Sequence, residues 1–197
     1  TQGILRSKEQ MDILWGQLKP IPKEQLHTMA HGEKITIGDT ELIAWYTPGH
    51  AVHHIAWQMG DKLISGDVAG VRINLGFVVP PCPPPDINIE DWMNSIELVR
   101  NLNCKKLYIT HYGEVEDIDN HLSELERLLH DWADLIKPHY LVGKKPQEVI
   151  PEFQAYVRKQ ILDHGMSEEE VQQYEAANPA WMSVAGLMRY WHKKLNS

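Results

Sequence analysis

The stretch from Glu41 to Asp67 limits the possible folds more than any other part of the chain. A strand-like run, Glu41-Leu42-Ile43-Ala44-Trp45-Tyr46, is broken by Pro48-Gly49. A second run, Ile55-Ala56-Trp57-Gln58-Met59, turns at Gly60-Asp61 into a third, Lys62-Leu63-Ile64-Ser65. Upstream, Lys34-Ile35-Thr36-Ile37 alternates in the same way, and Gly38-Asp39-Thr40 leads it into the first run. Short strands joined by turns this tight pair antiparallel, because a parallel pair needs a long crossover. The same turns leave His50 and Asp67 at strand ends, where a rigid scaffold can hold polar side chains in fixed geometry.

The rest of the chain is mostly helical. Met11, Leu14, Trp15 and Leu18 repeat at helical spacing behind a capping Ser7, and Pro20 and Pro22 end that run. Trp92, Ile96 and Val99 predict a helix over 88–99, and Lys106-Leu107-Tyr108-Ile109-Thr110 a strand that delivers His111. Ile118, Leu122, Leu125, Leu128, Leu129, Trp132 and Leu135 form the stripe of a helix that Pro138 should stop. From Pro146 two or three more helices follow, one opened by a capping box at Ser167-Glu168-Glu169-Glu170. Between Val68 and Asp86 no period holds, and Pro80-Pro81-Cys82-Pro83-Pro84-Pro85 predicts a stiff, extended loop long enough to serve as a pocket rim or lid. The fold class is therefore α/β. Residues 1–140 should form a mostly antiparallel sheet, with strands near 34–38, 41–46, 54–59, 62–66 and 106–110, covered by helices on one face; residues 141–197 form a helical appendage.

Composition narrows the function. A net charge of −8 argues against a nucleic-acid partner held by charge. No apolar run approaches the roughly 18 residues of a membrane span, so no membrane partner is expected. No secretory leader is visible. Cys82 and Cys104 fit no zinc spacing, and two free thiols suit a cytoplasmic location.

Thr47-Pro48-Gly49-His50 followed by Ser65-Gly66-Asp67 resembles the later metal-binding motifs of the metallo-β-lactamase superfamily, and Thr110-His111-Tyr112-Gly113 is similar to its last motif. The resemblance covers roughly residues 30–130 and keeps the family's order. It implies that His50 binds one metal, Asp67 bridges two and His111 binds the second. It also implies half of an αββα sandwich. Zinc accepts imidazole nitrogen and carboxylate oxygen, and two ions can share a bridging carboxylate; iron and manganese are the alternatives. The family's opening His-x-His-x-Asp-His run is absent from the sequence. The expectation is therefore a C-terminal half, inactive by itself, whose partner is the missing N-terminal half of the same domain or a second copy of the chain. Ile43, Trp45, Ile55 and Trp57 are expected to form the apolar face that such a partner covers.

The resemblance implies a dinuclear zinc hydrolase of the glyoxalase II-like group, acting on a small thioester, ester or lactone. A mononuclear iron persulfide dioxygenase and a metal-free binding module of the same fold are the competing readings. Asp67 stands where class B β-lactamases commonly carry Cys or Ser. The loop after it, Val68-Ala69-Gly70-Val71-Arg72-Ile73-Asn74, lacks the lysine of glyoxalase II and the tyrosine of acyl-homoserine lactonases. Arg72 and Asn74 are the substrate-binding candidates, Arg72 as a bidentate partner for an anionic group. His54 is expected either to orient a metal ligand or to face the core. His27 and His31 could meet on a helix face, although a solvated segment suits them better. Trp132, Trp181, Tyr190 and Trp191 read as core or interface.

Overall fold

A computed structural model describes residues 19–196 apart from Leu75 and Tyr112, together with Asp12 and Gly16. The helix expected between Ser7 and Leu18 lies outside the described residues. Six strands form one sheet in chain order: β1 (Lys34–Ile37), β2 (Thr40–Tyr46), β3 (Ile55–Met59), β4 (Lys62–Gly66), β5 (Lys106–Ile109) and β6 (Glu114–Val115). Neighbours pair antiparallel except β4 and β5, which run parallel because α1 (Ile89–Asn101) carries the chain back across the sheet. Strand β6 was not expected; two residues are too few to show a period.

The pairing register decides which side chains share a face. Trp45 lies opposite Ala56, and Ala44 opposite Trp57. The apolar alternation of β2 is thus one residue out of phase with that of β3, and the expected set of four divides. Ile43 and Trp45 point to one face, Ile55 and Trp57 to the other. On the first face, Ala56, Leu63, Leu107, Ile109 and Val115 are buried beneath helices. Trp45 packs against this core, and its indole donates to Gln58 Oε1 on the same face at 2.8 Å. The second face carries Ile37, Tyr46 and Ile64, which are 63%, 45% and 46% exposed.

The other helices are α2 (Ile118–Leu141), α3 (Pro146–Asp163), α4 (Glu168–Ala177) and α5 (Ala180–Asn196); α5 packs on α2 and α3, and α4 on α3. Asn88 caps α1 by accepting from Asp91 N–H, and Ser167 and Glu170 form the predicted capping box of α4. Helix α2 does not stop at Pro138. Proline removes one ladder bond, but Val142 N–H still reaches Pro138 O, and Tyr140 Oη packs on α5 through His192 and Asn196. One core runs through everything: Trp92 of α1, Leu125 and Trp132 of α2, Phe153 of α3, Tyr174 of α4 and Leu187 of α5 belong to a single buried cluster with the sheet. Cys82 and Cys104 are both free thiols. No described helix is long and apolar enough to cross a membrane.

The loop after β4 differs from the expected lid. Its middle is core: Phe77, Val78, Val79 and Cys82 are buried, and Val71 and Val79 pair as an isolated bridge. The C-terminal helices pin it. Tyr174 Oη donates to Phe77 O at 2.5 Å and accepts from Ile73 N–H at 3.0 Å, and Asn178 Nδ2 donates to Pro80 O at 3.1 Å. Any side chain at Gly186 would run into Cys82 O, which a built Cβ meets at 2.0 Å. Proline content predicted stiffness; the apolar residues between the prolines give the loop a buried anchor that spacing alone does not reveal.

Candidate metal centre

Topology gathers the candidate ligands. Strands β2, β4 and β5 point the same way, so their C-terminal ends share one edge of the sheet, where β3 begins. His50 follows β2, His54 precedes β3, Asp67 follows β4 and His111 follows β5. Ends of strands at one edge of an α/β sheet are the usual place for a site.

Each position has a local cause. Gly49 has φ +131, and a Cβ there would meet Trp92 Cα at 2.3 Å, so the Pro48-Gly49 turn lies directly on α1. Ser95 Oγ donates to Pro48 O at 2.6 Å and Asn88 N–H to Gly49 O at 2.9 Å, fixing the turn that presents His50. In β4 the register shifts between Ile64 and Gly66, a bulge that re-aims the chain just before Asp67. Asp67 then opens a short 3-10 turn, Asp67–Ala69. Three donors hold that turn: Gly70 N–H to Asp67 O at 3.0 Å, Trp92 Nε1–H to Val68 O at 2.8 Å and His121 Nε2–H to Ala69 O at 2.7 Å. His111 has φ +65, a left-handed conformation uncommon for a side-chain-bearing residue and frequent where a site imposes it.

The structure brings His50, Asp67 and His111 together. Asp67 Oδ2 lies 3.7 Å from His50 Nε2, and Asp67 Oδ1 lies 3.5 Å from His111 Nε2. Each carboxylate oxygen faces one imidazole. These separations are too long for good hydrogen bonds. They suit atoms that share an ion: two ligands about 2.0–2.1 Å from a tetrahedral zinc stand about 3.4 Å apart. Asp67 Oδ1 is moreover buried without a hydrogen-bond partner, the condition a cation would relieve. His50 Nδ1 bonds Pro81 O at 2.8 Å; since a carbonyl only accepts, Nδ1 carries the proton and Nε2 offers its lone pair toward Asp67. Among the described residues no three His, Cys, Asp or Glu side chains close around one point. The set is two imidazoles with one carboxylate between them.

His54 completes the frame. Its Nε2 accepts from Asp67 N–H at 3.2 Å, which places the proton on Nδ1, 2.7 Å from Thr47 Oγ1. Burial, and then the imidazole of His50 close by, push its pKa down to about 4, so the ring stays neutral and keeps that acceptor. His54 is half-buried and faces the Asp67 turn. Gly66 makes the approach possible: a Cβ there would stand 2.5 Å from His54 Nε2.

The other sequence candidates fall differently. Asn74 lines a cavity of about 610 Å3 with His111, Ile73, Gln173, Ala176 and Ala177. Arg72 is turned into its own loop, its Nε–H donating to Gly76 O at 2.8 Å. A smaller cavity of about 400 Å3 lies on the His50 side, between His54, Asp67 and Pro83–Pro85. The exposed His27 pairs with Glu33, and His31 Nδ1 accepts from Tyr46 N–H; no helix holds the two together. Trp132, Tyr190 and Trp191 are buried in the core. Sequence reasoning missed His121, which is 4% exposed and sits under the Asp67 turn with Nδ1 unpartnered. Its signal was present: a polar residue three positions after Ile118 on an otherwise apolar stripe.

Comparison with known proteins gives this arrangement a context. The sequence model of the metallo-beta-lactamase superfamily matches residues 5–111. The metallo-beta-lactamase fold-containing protein ST1585 of Sulfurisphaera tokodaii is 30% identical over 115 residues, 57% of this chain and 43% of that protein. The crystal structure of ST1585 superposes with a TM-score of 0.50 at 28% identity, covering 59% of this chain and 45% of its own. The metallo-beta-lactamase family protein TTHA1429 from Thermus thermophilus superposes with a TM-score of 0.55 at 17% identity; the match covers 90% of this chain and 50% of TTHA1429, and shows likeness of fold. The chain thus spans less than half the length of the curated relative it matches.

Proposed function

Because this chain belongs to the metallo-beta-lactamase superfamily, we propose that it contributes His50, Asp67 and His111 to a dinuclear zinc centre that hydrolyses a small thioester, ester or lactone. The observation that carries this reading is the orientation of Asp67, with one oxygen toward His50 and the other toward His111. A carboxylate facing two imidazoles on opposite sides suits two ions better than the single ion of a mononuclear centre, and its buried, unpartnered Oδ1 speaks against a metal-free module.

When bound, zinc supplies a water acidic enough to be hydroxide near pH 7 and a Lewis acid for the substrate carbonyl. The chain's own residues do the rest. Pro81 O fixes the His50 tautomer, and His54 holds the Asp67 backbone through its N–H. The cavity beside His111 is mostly walled by aliphatic groups, with the Asn74 and Gln173 amides as its polar members. It fits an apolar acyl group, with the two amides hydrogen-bonding the ester or lactone oxygens. Arg72, turned into its loop, serves as a strut in this reading rather than as the anion receptor.

Each ion would receive two protein ligands from this chain, one short of the three of a catalytic zinc. We assign the remaining ligands to polypeptide outside these residues, packed on the sheet face that exposes Ile37, Tyr46 and Ile64. The two free thiols suit a cytoplasmic setting. The test is zinc titration of the purified chain, with Asp67→Asn and His111→Ala beside it, followed by hydrolysis assays on a nitrophenyl ester, a thioester and a γ-lactone once the rest of the domain is supplied. Weak zinc binding lost in both variants, with hydrolysis only in the completed domain, supports the reading. Zinc binding unchanged in Asp67→Asn refutes it.

A further inference from the structure

Helix α4 lies between two cavities, and Ala176 lines both. Gln173 and Ala177 face the one beside His111, whereas Val171 and Glu175, two positions away along the helix, face another of about 700 Å3 between α3 and α4. The second lies in the size range of small-molecule pockets. Val157 and Ile161 of α3, Val171 and the ring of Tyr174 of α4, and Val79 of the loop give it a hydrocarbon lining.

We propose that this groove is a second small-molecule site that takes a protonated alkylamine, with its hydrocarbon chain along α3 and α4 and its ammonium on Glu175. The reading is independent of the metal centre.

Charge selects the ligand. Glu168 and Arg158 line the groove but pair with each other, so their charges cancel. Glu175 has no cationic partner among the described residues. Its single hydrogen bond there comes from Ala180 N–H, which reaches Oε1 at 3.2 Å. Burial raises its pKa, a sign that its charge is poorly compensated, and a ligand ammonium would compensate it. Helix α4 ends at Ala177, two residues on, so its C-terminal carbonyls add negative potential at the same end, opposed by the N-terminus of α5 that Glu175 caps. A fatty acid would bring a carboxylate against Glu175; an alcohol would gain the apolar walls and leave the charge unmet.

The experiment titrates n-hexylamine, n-hexanol and hexanoate into the whole chain by calorimetry at neutral pH, and repeats it with Glu175→Gln and Ala155→Trp. The glutamine still accepts from Ala180 N–H, so α5 keeps its cap. Ala155 is an exposed wall residue whose enlargement fills the groove without entering the core. The expected result is one hexylamine per chain, bound about tenfold more tightly than hexanol, with hexanoate weaker again. Glu175→Gln should reduce hexylamine to the hexanol level, and Ala155→Trp should abolish both. Equal affinity for the three ligands, absence of saturable binding, or an undiminished preference for the amine in Glu175→Gln each overturns the proposal. So does a dimer by light scattering that persists with hexylamine and is lost in Ala155→Trp, since a second copy would then fill the groove.

Discussion

His121 should make the folded state lose stability as the solution becomes mildly acidic, by an amount the structure sets. Burial pushes its pKa from 6.5 to about 4, against a smaller opposing contribution from its bond to Ala69 O. Between those values the unfolded chain binds a proton that the folded chain does not, so stability is full above 6.5 and declines as pH falls toward 4. From about pH 8 to about pH 5.5 the linkage relation gives a loss on the order of 1 kcal/mol from this residue. His54 is depressed in the same direction, so the whole-protein slope contains both, and the difference between parent and variant isolates His121. His121→Gln is the informative change: its amide can still donate to Ala69 O, and it does not titrate. Urea unfolding at the two pH values should show the variant losing on the order of 1 kcal/mol less than the parent. Equal losses would refute the assignment of a neutral, buried imidazole beneath the Asp67 turn.

Other substitutions probe the frame from different sides. Gly66→Ala should weaken zinc binding in a calorimetric titration and cost about 1–3 kcal/mol in chemical unfolding, since φ is +57 and the new methyl group would displace His54 from Asp67 N–H. Tyr174→Phe should cost about 1–3 kcal/mol by leaving Phe77 O and Ile73 N–H unpaired; hydrogen exchange should quicken at Ile73, and unchanged protection there would count against the clamp. Phe153→Ala should cost about 3–5 kcal/mol, because the ring is fully buried edge-on against Trp132. A loss under about 1 kcal/mol would mean that α3 is an add-on and not part of one core.

Much of this protein is legible in its sequence because the relevant physics is local. Alternating β-branched and aromatic residues punctuated by Gly38-Asp39 and Gly60-Asp61 are enough to place β1 to β4 within a residue or so, since turn chemistry and strand period act over a few positions. Ser167 and Glu170 announce the start of α4 for the same reason. The ligand candidates also follow from pattern: His50, Asp67 and His111 each stand just beyond a strand, and a chain that returns β2, β4 and β5 in the same direction must bring those ends to one edge. Everything that depends on distant residues was left to the tertiary structure. Whether Trp45 joins Trp57 on one face was decided by the pairing of Trp45 with Ala56, a register no single strand encodes. Helix α2 passes Pro138 because α5 packs on its last turn. The proline-rich loop is anchored, not lid-like, because Tyr174, about a hundred residues away, binds its backbone. His121 became visible only when α2 was laid beneath Asp67. Local propensity sets which elements form, whereas burial and hydrogen-bond satisfaction, which count neighbours in space, decide what each element faces.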